Sequence, residues 1–282
     1  MVPIIEHPDV QRMLLWMKSN VEAMRMLAYY VSKCVDLSNV EKDEEARKAN
    51  AIVDLLRPVV KAGLSEMSWY VTAEAIQVFG GYGFISDYKV EQYARDTKIF
   101  SIYEGTNGIQ SLDLVFRKIL LDENQYSYKV LKENILATIE KSKGIVDDKY
   151  ISQVEKGLLK LDEVLAQFNQ HLSSFKFLLI GINTVPFLQS MYMLVTAWLH
   201  LWSLIITTPK MKELVGDAKG QDRQKILDSN HDAAYYSGRV LSSQFYLGAE
   251  FPKFFGKVEC ILSGESAVVK ASSAIFTGAL EE

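Results

Sequence analysis

At 282 residues the chain has room for one large domain or two smaller ones, and it can bury a sizeable core. Hydrophobic residues at 49% and charged residues at 23% are the balance of a globular protein rather than a disordered one. The 31 Lys and Arg against 35 Asp and Glu give a net charge of −4, which leaves no basic field for phosphates and argues against a nucleic-acid partner. The opening residues, MVPIIEHPDV, lack a basic region followed by an apolar core and do not read as a signal peptide. From His7 to Val35 the apolar residues Val10, Leu14, Met17, Val21, Met24, Ala28 and Val31 step by three and four, which predicts one buried helical face. Asp36-Leu37-Ser38-Asn39 reads as a polar break. A second helix is predicted from about Lys42 to Val78, with Ile52, Leu56, Val60, Met67, Val71 and Val78 inward. Pro58 inside it removes a backbone donor and is expected to kink or split it. Gly80-Gly81 should end it, because glycine supplies the left-handed conformation of a helix C-terminus.

A short helix is expected around Val90 to Arg95, then a loop at Glu104, then a helix from about Asn107 to Leu121. Asp122-Glu123-Asn124 is the best domain boundary, dividing the chain into 1–122 and 125–282. Beyond it the helical pattern predicts segments near Gln125–Lys143, Lys149–Ile182, Pro186–Thr207, Arg223–Gly248 and Pro252–Phe276. No run alternates at period two for long enough to be a convincing strand, so the expected class is all-α: a helical bundle followed by a second one.

From Phe177 to Pro209 there is no charged residue, and Phe187 to Ile206 alone is long enough to cross a bilayer. Against a membrane span stands a neutral polar stripe at helical spacing, Gln189, Thr196, His200, Ser203 and Thr207, with Pro186 interrupting the run. That stripe favours a helix buried between other helices, in which His200 is a hydrogen-bonded core residue rather than a ligand. Cys34 and Cys260 have no metal-like neighbours and read as reduced core residues of a cytoplasmic protein; no metal site is expected.

The stretch from Gln77 to Gln110 carries the chemistry. Taken alone, Gly80-Gly81-Tyr82-Gly83 reads as a helix C-cap running into a tight turn; it follows a helix and has no surrounding βαβ unit, so it is no dinucleotide fingerprint. Arg95-Asp96 alone reads as a surface charge pair of little energetic weight. Glu104 in a Gly/Thr/Asn-rich loop is first a solvated carboxylate. Yet Ile99, Phe100, Ile102 and Tyr103 lead into it, which predicts a loop held against a core, and Gly105 permits close backbone approach. A carboxylate in a dry pocket is a stronger base, suited to removing a weakly acidic proton.

These pieces occur together and in order: Gln77-Val78-Phe79-Gly80-Gly81-Tyr82-Gly83, then Arg95-Asp96-x-Lys98-Ile99, then Tyr103-Glu104-Gly105-Thr106. In that arrangement the first 120 residues or so resemble the C-terminal helical domain of the acyl-CoA dehydrogenases. The remainder resembles, less specifically, the extra helical domain of a larger subgroup that includes methylmercaptopropionyl-CoA dehydrogenases. The resemblance implies FAD as cofactor, an acyl-CoA thioester as substrate and Glu104 as the base that removes its α-proton. Tyr103 and Gly105 would line the thioester. Gln77, Val78, Phe79, Gly80, Gly81, Thr106, Asn107 and Gly108 would approach FAD, the glycine turn largely across a dimer interface, and Gly108 through backbone alone. It further implies a homo-oligomer and, as electron acceptor, an electron-transfer flavoprotein. Full members also have an upstream helical domain, a middle β-domain and one more helix before His7, so the expectation is an incomplete flavin site, inactive without those parts. The competing expectations are a non-catalytic helical interaction module and a membrane-attached helical protein.

Overall fold

The computed structural model describes residues 2–278, and among them there are helices and turns but no strand. Helix α1 (Pro8–Val40) starts with proline at its first position and runs straight through the expected break at Asp36 to Asn39. Its buried row is Met13, Asn20, Ala23, Leu27, Val31 and Cys34. The row expected from the sequence is shifted by one residue and, Val31 apart, is only half-buried. The cause is that α1 packs on α2 on one side and on α8 and α10 on another, so its apolar band is wider than one stripe.

Helix α2 (Asp43–Phe79) is one element despite Pro58. Leu55, Leu56 and Val59 around the proline are fully buried, and this packing outweighs the lost backbone bond. Full burial along α2 stops at Ser65; from Glu66 to Phe79 the side chains are half-buried or exposed. Gly80, at φ 62°, ends the helix as expected. Helix α3 (Val90–Lys98) lies against α2 and buries only Val90 and Ala94. Helix α4 (Asn107–Leu112) continues unbroken into a π-helical stretch, Asp113–Leu120, whose buried Lys118 pairs with Asp54 of α2. Left-handed backbone at Asn124 (φ 54°) and Gln125 (φ 53°) then turns the chain.

Beyond the turn come α5 (Tyr126–Ser142), α6 (Asp148–Ser173), α7 (Phe177–Gly181), α8 (Thr184–Val215), α9 (Gly220–Ser229), α10 (His231–Phe245), α11 (Lys253–Leu262) and α12 (Ser273–Thr277). Three helices expected to be continuous are broken. Phe175 at φ 57° separates α6 from α7, and the Asn230 side chain caps α10, accepting from Ala233 N at 3.1 Å, to separate it from α9. Gly264 at φ 70° ends the turn after α11. Helix α8, by contrast, runs past Pro209 to Val215.

Helix α8 is the axis of the molecule, touching α1, α2, α4, α5, α6, α10 and α11. It is long and apolar enough to cross a membrane, but 78% of its apolar window is buried against these neighbours. Its polar stripe is satisfied across the packing: Gln189 donates to Glu66 (2.7 Å), Thr196 shares a bond with the Tyr246 hydroxyl (2.6 Å), and Ser203 meets Arg239 (3.1 Å). One contiguous apolar cluster runs from Ala23 to Ile261 and includes helices from both sides of Asp122. Cys34 is buried and free; Cys260 is free but exposed, not the core residue expected, because it faces outward at the end of α11.

Candidate functional site

The glycine turn is built by α2. After Gly80 the chain folds back as a single 3-10 turn, Gly80–Phe84. A Cβ on Gly83 would lie 2.5 Å from the Ile76 carbonyl, so the turn closes on the helix only with glycine there. At Gly80 and Gly81 a Cβ would meet nothing within 4 Å: this side of the turn faces open space. Gln77 and Phe79 are exposed beside it, whereas Val78 is half-buried. Tyr82 (66% exposed) and Phe84 (83%) project from the turn itself. Arg95 is paired at 3.9 Å with Glu91 on α3 and stays at the surface.

The loop bearing Glu104 is held differently from the expectation. Ile99, Phe100, Ile102 and Tyr103 are exposed rather than packed in a core: the segment touches α2 and α3 on one side, and no described element covers the other. The loop is tied instead to the middle of α2. Lys61 Nζ donates to the Gly105 carbonyl at 2.6 Å and to Asn107 Oδ1 at 3.2 Å. Ser65 donates to the same Oδ1 at 3.1 Å, and Asn107 Nδ2 donates to the Ala62 carbonyl at 3.3 Å. Thr106 caps α4, accepting from Ile109 N at 3.3 Å. Ser111 reaches Thr184 of α8 at 3.1 Å. Glu104 itself is left-handed at φ 54° and Gly105 follows at φ 83°. Among the described residues the Glu104 carboxylate has no hydrogen-bond or ion-pair partner. Burial draws the Lys61 ammonium below the ordinary lysine range, while the Glu104 charge pulls it upward.

Glu104 and the glycine turn are not brought together within the chain. The loop is anchored at positions 61–65 of α2 and the turn sits at its end, roughly 25 Å further along at 1.5 Å per residue. Cavities of about 650, 530 and 490 Å³ lie elsewhere and are lined by none of the predicted site residues. The predicted site is open surface rimmed by exposed aromatic and aliphatic side chains. Sequence reasoning missed Lys61 and Ser65. Their signal was a cation and a hydroxyl set among the core-facing Val59, Ala62 and Gly63.

Two family models match the chain: the acyl-CoA dehydrogenase C-terminal domain over residues 2–120, and the acetyl-CoA dehydrogenase C-terminal-like domain over residues 131–272. The chain belongs to the acyl-CoA dehydrogenase family. A butyryl-CoA dehydrogenase of Syntrophomonas wolfei is 32% identical over 272 residues, which cover 95% of this chain and 42% of that enzyme. A 3-methylmercaptopropionyl-CoA dehydrogenase of Ruegeria pomeroyi is 41% identical over 144 residues, 51% of this chain and 24% of the relative. The fold matches that of Caenorhabditis elegans ACDH-11, solved in complex with C11-CoA, at a TM-score of 0.72 and 16% identity, over 98% of this chain and 41% of that one. An acyl-CoA dehydrogenase from Bacillus anthracis, solved with FAD, aligns at a TM-score of 0.52 and 18% identity, over 92% of this chain and 46% of its own. The chain therefore spans under half the length of these relatives.

Against the chemistry of FAD, the residues of this chain fit as one wall of a site. Gly80 and Gly81 leave room for close backbone approach, and Gln77 and Phe79 stand free beside them. The Thr106 hydroxyl oxygen caps α4 and the Asn107 side chain is committed to α2, so any contact Asn107 or Gly108 made with a cofactor would be through backbone.

Proposed function

We propose that this chain is the C-terminal portion of an FAD-dependent acyl-CoA dehydrogenase that converts an acyl-CoA to its trans-2-enoyl-CoA, with Glu104 as base. The observation that carries the reading is the Glu104 carboxylate, unpartnered, on a loop pinned to a rigid helix within an uncovered apolar surface. Glu104 accepts the α-proton, and the electron pair of the broken α C–H bond enters the new double bond. FAD, when bound, supplies the acceptor for the hydrogen that leaves the β-carbon as hydride. Tyr103 and the Gly105 backbone line the thioester and exclude water from it. Gln77 to Gly81 and the backbone of Thr106 to Gly108 hold the cofactor.

The separation of the glycine turn from Glu104 along α2 supports a dimer, in which the turn of one copy completes the site of the other. The exposed side chains around the turn supply an apolar contact surface. The two segments, 1–122 and 125–282, act as two family domains packed into one body. Activity then requires polypeptide equivalent to the rest of the full-length relatives, and the electron acceptor is an electron-transfer flavoprotein.

The test is a flavin absorption spectrum and a dye-coupled acyl-CoA oxidation assay, on this chain alone and together with the remainder of a full-length relative. Yellow, active protein only in the combined sample, with turnover reduced by roughly three orders of magnitude or more in Glu104→Gln, is the expected result. Colourless, inactive protein in both samples would leave a helical interaction module and remove the catalytic reading.

A further inference from the structure

Glu104 and Gly105 are consecutive left-handed residues, at φ 54° and 83°. For glutamate that backbone is strained and persists only where the surroundings hold it. Inside the loop the restraints are weak: Gln110 Nε2 reaches the Glu104 carbonyl only at 3.5 Å. The strong restraint comes from 44 residues before Gly105 in the chain. Lys61 Nζ lies 2.6 Å from the Gly105 carbonyl and 3.2 Å from Asn107 Oδ1, so one ammonium grips both sides of Thr106. A bond from an ionised donor at that length is about twice as strong as a neutral one.

Lys61 has no carboxylate within 4.0 Å among the described residues, so its charge is not spent on an ion pair that staples helices. Its neighbours on α2 are Val60 and Ala62, and an apolar residue would serve packing there as well. We propose that Lys61 is the positioning residue of Glu104: by fixing the Gly105 carbonyl and the Asn107 side chain to α2, it sets where the carboxylate stands. The role builds on the reading of Glu104 as the base, but the anchor itself is tested without turnover.

Amide hydrogen exchange on this chain reads the anchor through the helix cap it steadies, since Ile109 N donates to Thr106 Oγ1 and Gln110 N to the Thr106 carbonyl. Lys61→Met is expected to speed exchange at Ile109 and Gln110 by about tenfold or more, as the loop loses the two Lys61 hydrogen bonds on either side of Thr106, while the thermal midpoint holds. Asn107 keeps Ser65 and Ala62, and the Gly105 carbonyl is open to water, so folding should survive. Lys61→Arg, which keeps the cation and donors, should restore most of the protection. Unchanged exchange in Lys61→Met overturns the proposal.

A second measurement stands even if Lys61→Met does not fold. With Lys61 intact and its side chain isotopically labelled, Glu104→Gln should move the ammonium titration to lower pH, because the Glu104 charge that pulls it upward is gone. An identical titration with and without the Glu104 charge would place the carboxylate out of reach of Lys61 and overturn the assignment. If exchange and titration behave as expected while the assembled protein never oxidises acyl-CoA, the anchor stands and the base reading falls. The reverse pattern removes the anchor alone.

Discussion

His200 has both ring nitrogens engaged inside the core, Nδ1 with Ser243 Oγ at 3.0 Å and Nε2 with the Ser19 carbonyl at 3.2 Å. It is fully buried and stacks on Tyr246 at 4.5 Å. Burial, helped by the nearby Arg239 charge, holds its pKa down at about 3 against an ordinary value of 6.5. The folded protein therefore keeps His200 neutral in a range where the unfolded chain takes up a proton. Stability from this group is complete above pH 6.5 and is lost as the pH falls from 6.5 toward 3. Denaturant midpoints should show about 2 kcal/mol lost between pH 7 and pH 5 from this residue, a slope that His200→Gln removes. An unchanged slope in the variant would move the effect elsewhere. That His200 is a hydrogen-bonded core residue was legible from its place in the neutral stripe. The support of Glu104 was not, because Lys61 reaches across 44 residues to Gly105 and 46 to Asn107, and spacing carries no sign of such a contact.

At the scale of elements, the packing of α2 on α8 turns on glycine. A Cβ on Gly63 would lie 2.2 Å from Tyr192 Cδ2, within a ring that is itself buried. Gly63→Ala is expected to destabilise by about 1–3 kcal/mol, the cost of overpacking a closed contact. Gly256→Ala on α11, where a Cβ meets nothing within 4 Å, should be neutral or stabilising by a few tenths of a kcal/mol to about 1. Urea titration of the two variants compares them directly, and equal effects would mean that the α2–α8 contact is loose. The helices themselves were readable from their period of 3.6. Their breaks were not: Phe175 and Asn230 leave the helical pattern for local backbone and capping reasons that no apolar spacing records. Pro58 misled in the opposite sense, since tertiary burial carries α2 through it.

For the whole molecule, the boundary at Asp122 is a boundary in sequence more than in packing. Helix α8 is covered by α1, α2 and α4 from one side of it and by α5, α6, α10 and α11 from the other. Residues 1–122 expressed alone should therefore lack a cooperative thermal transition and bind hydrophobic dyes, although their helix content by circular dichroism stays high. A sharp, reversible melt of that segment would show that it folds without α8. The all-α class was legible because no strand pattern competes. Which side chains lie uncovered, Tyr82 and Phe84 at the turn and Tyr103 at the loop, was not, because exposure is set by what the rest of an assembly places there.

The central place of α8 also sets a timetable. On a ribosome adding about 5–20 residues per second, on the order of 10 s passes between completion of α2 and completion of the helix that seals its inner face. Through that interval α4 and α5 come to lie against α2, but the faces of α1 and α2 that meet α8 stay open. Nascent chains paused anywhere between Phe79 and Val215 should be the ones held by chaperones, and slowing translation across that window should lower the yield of folded protein.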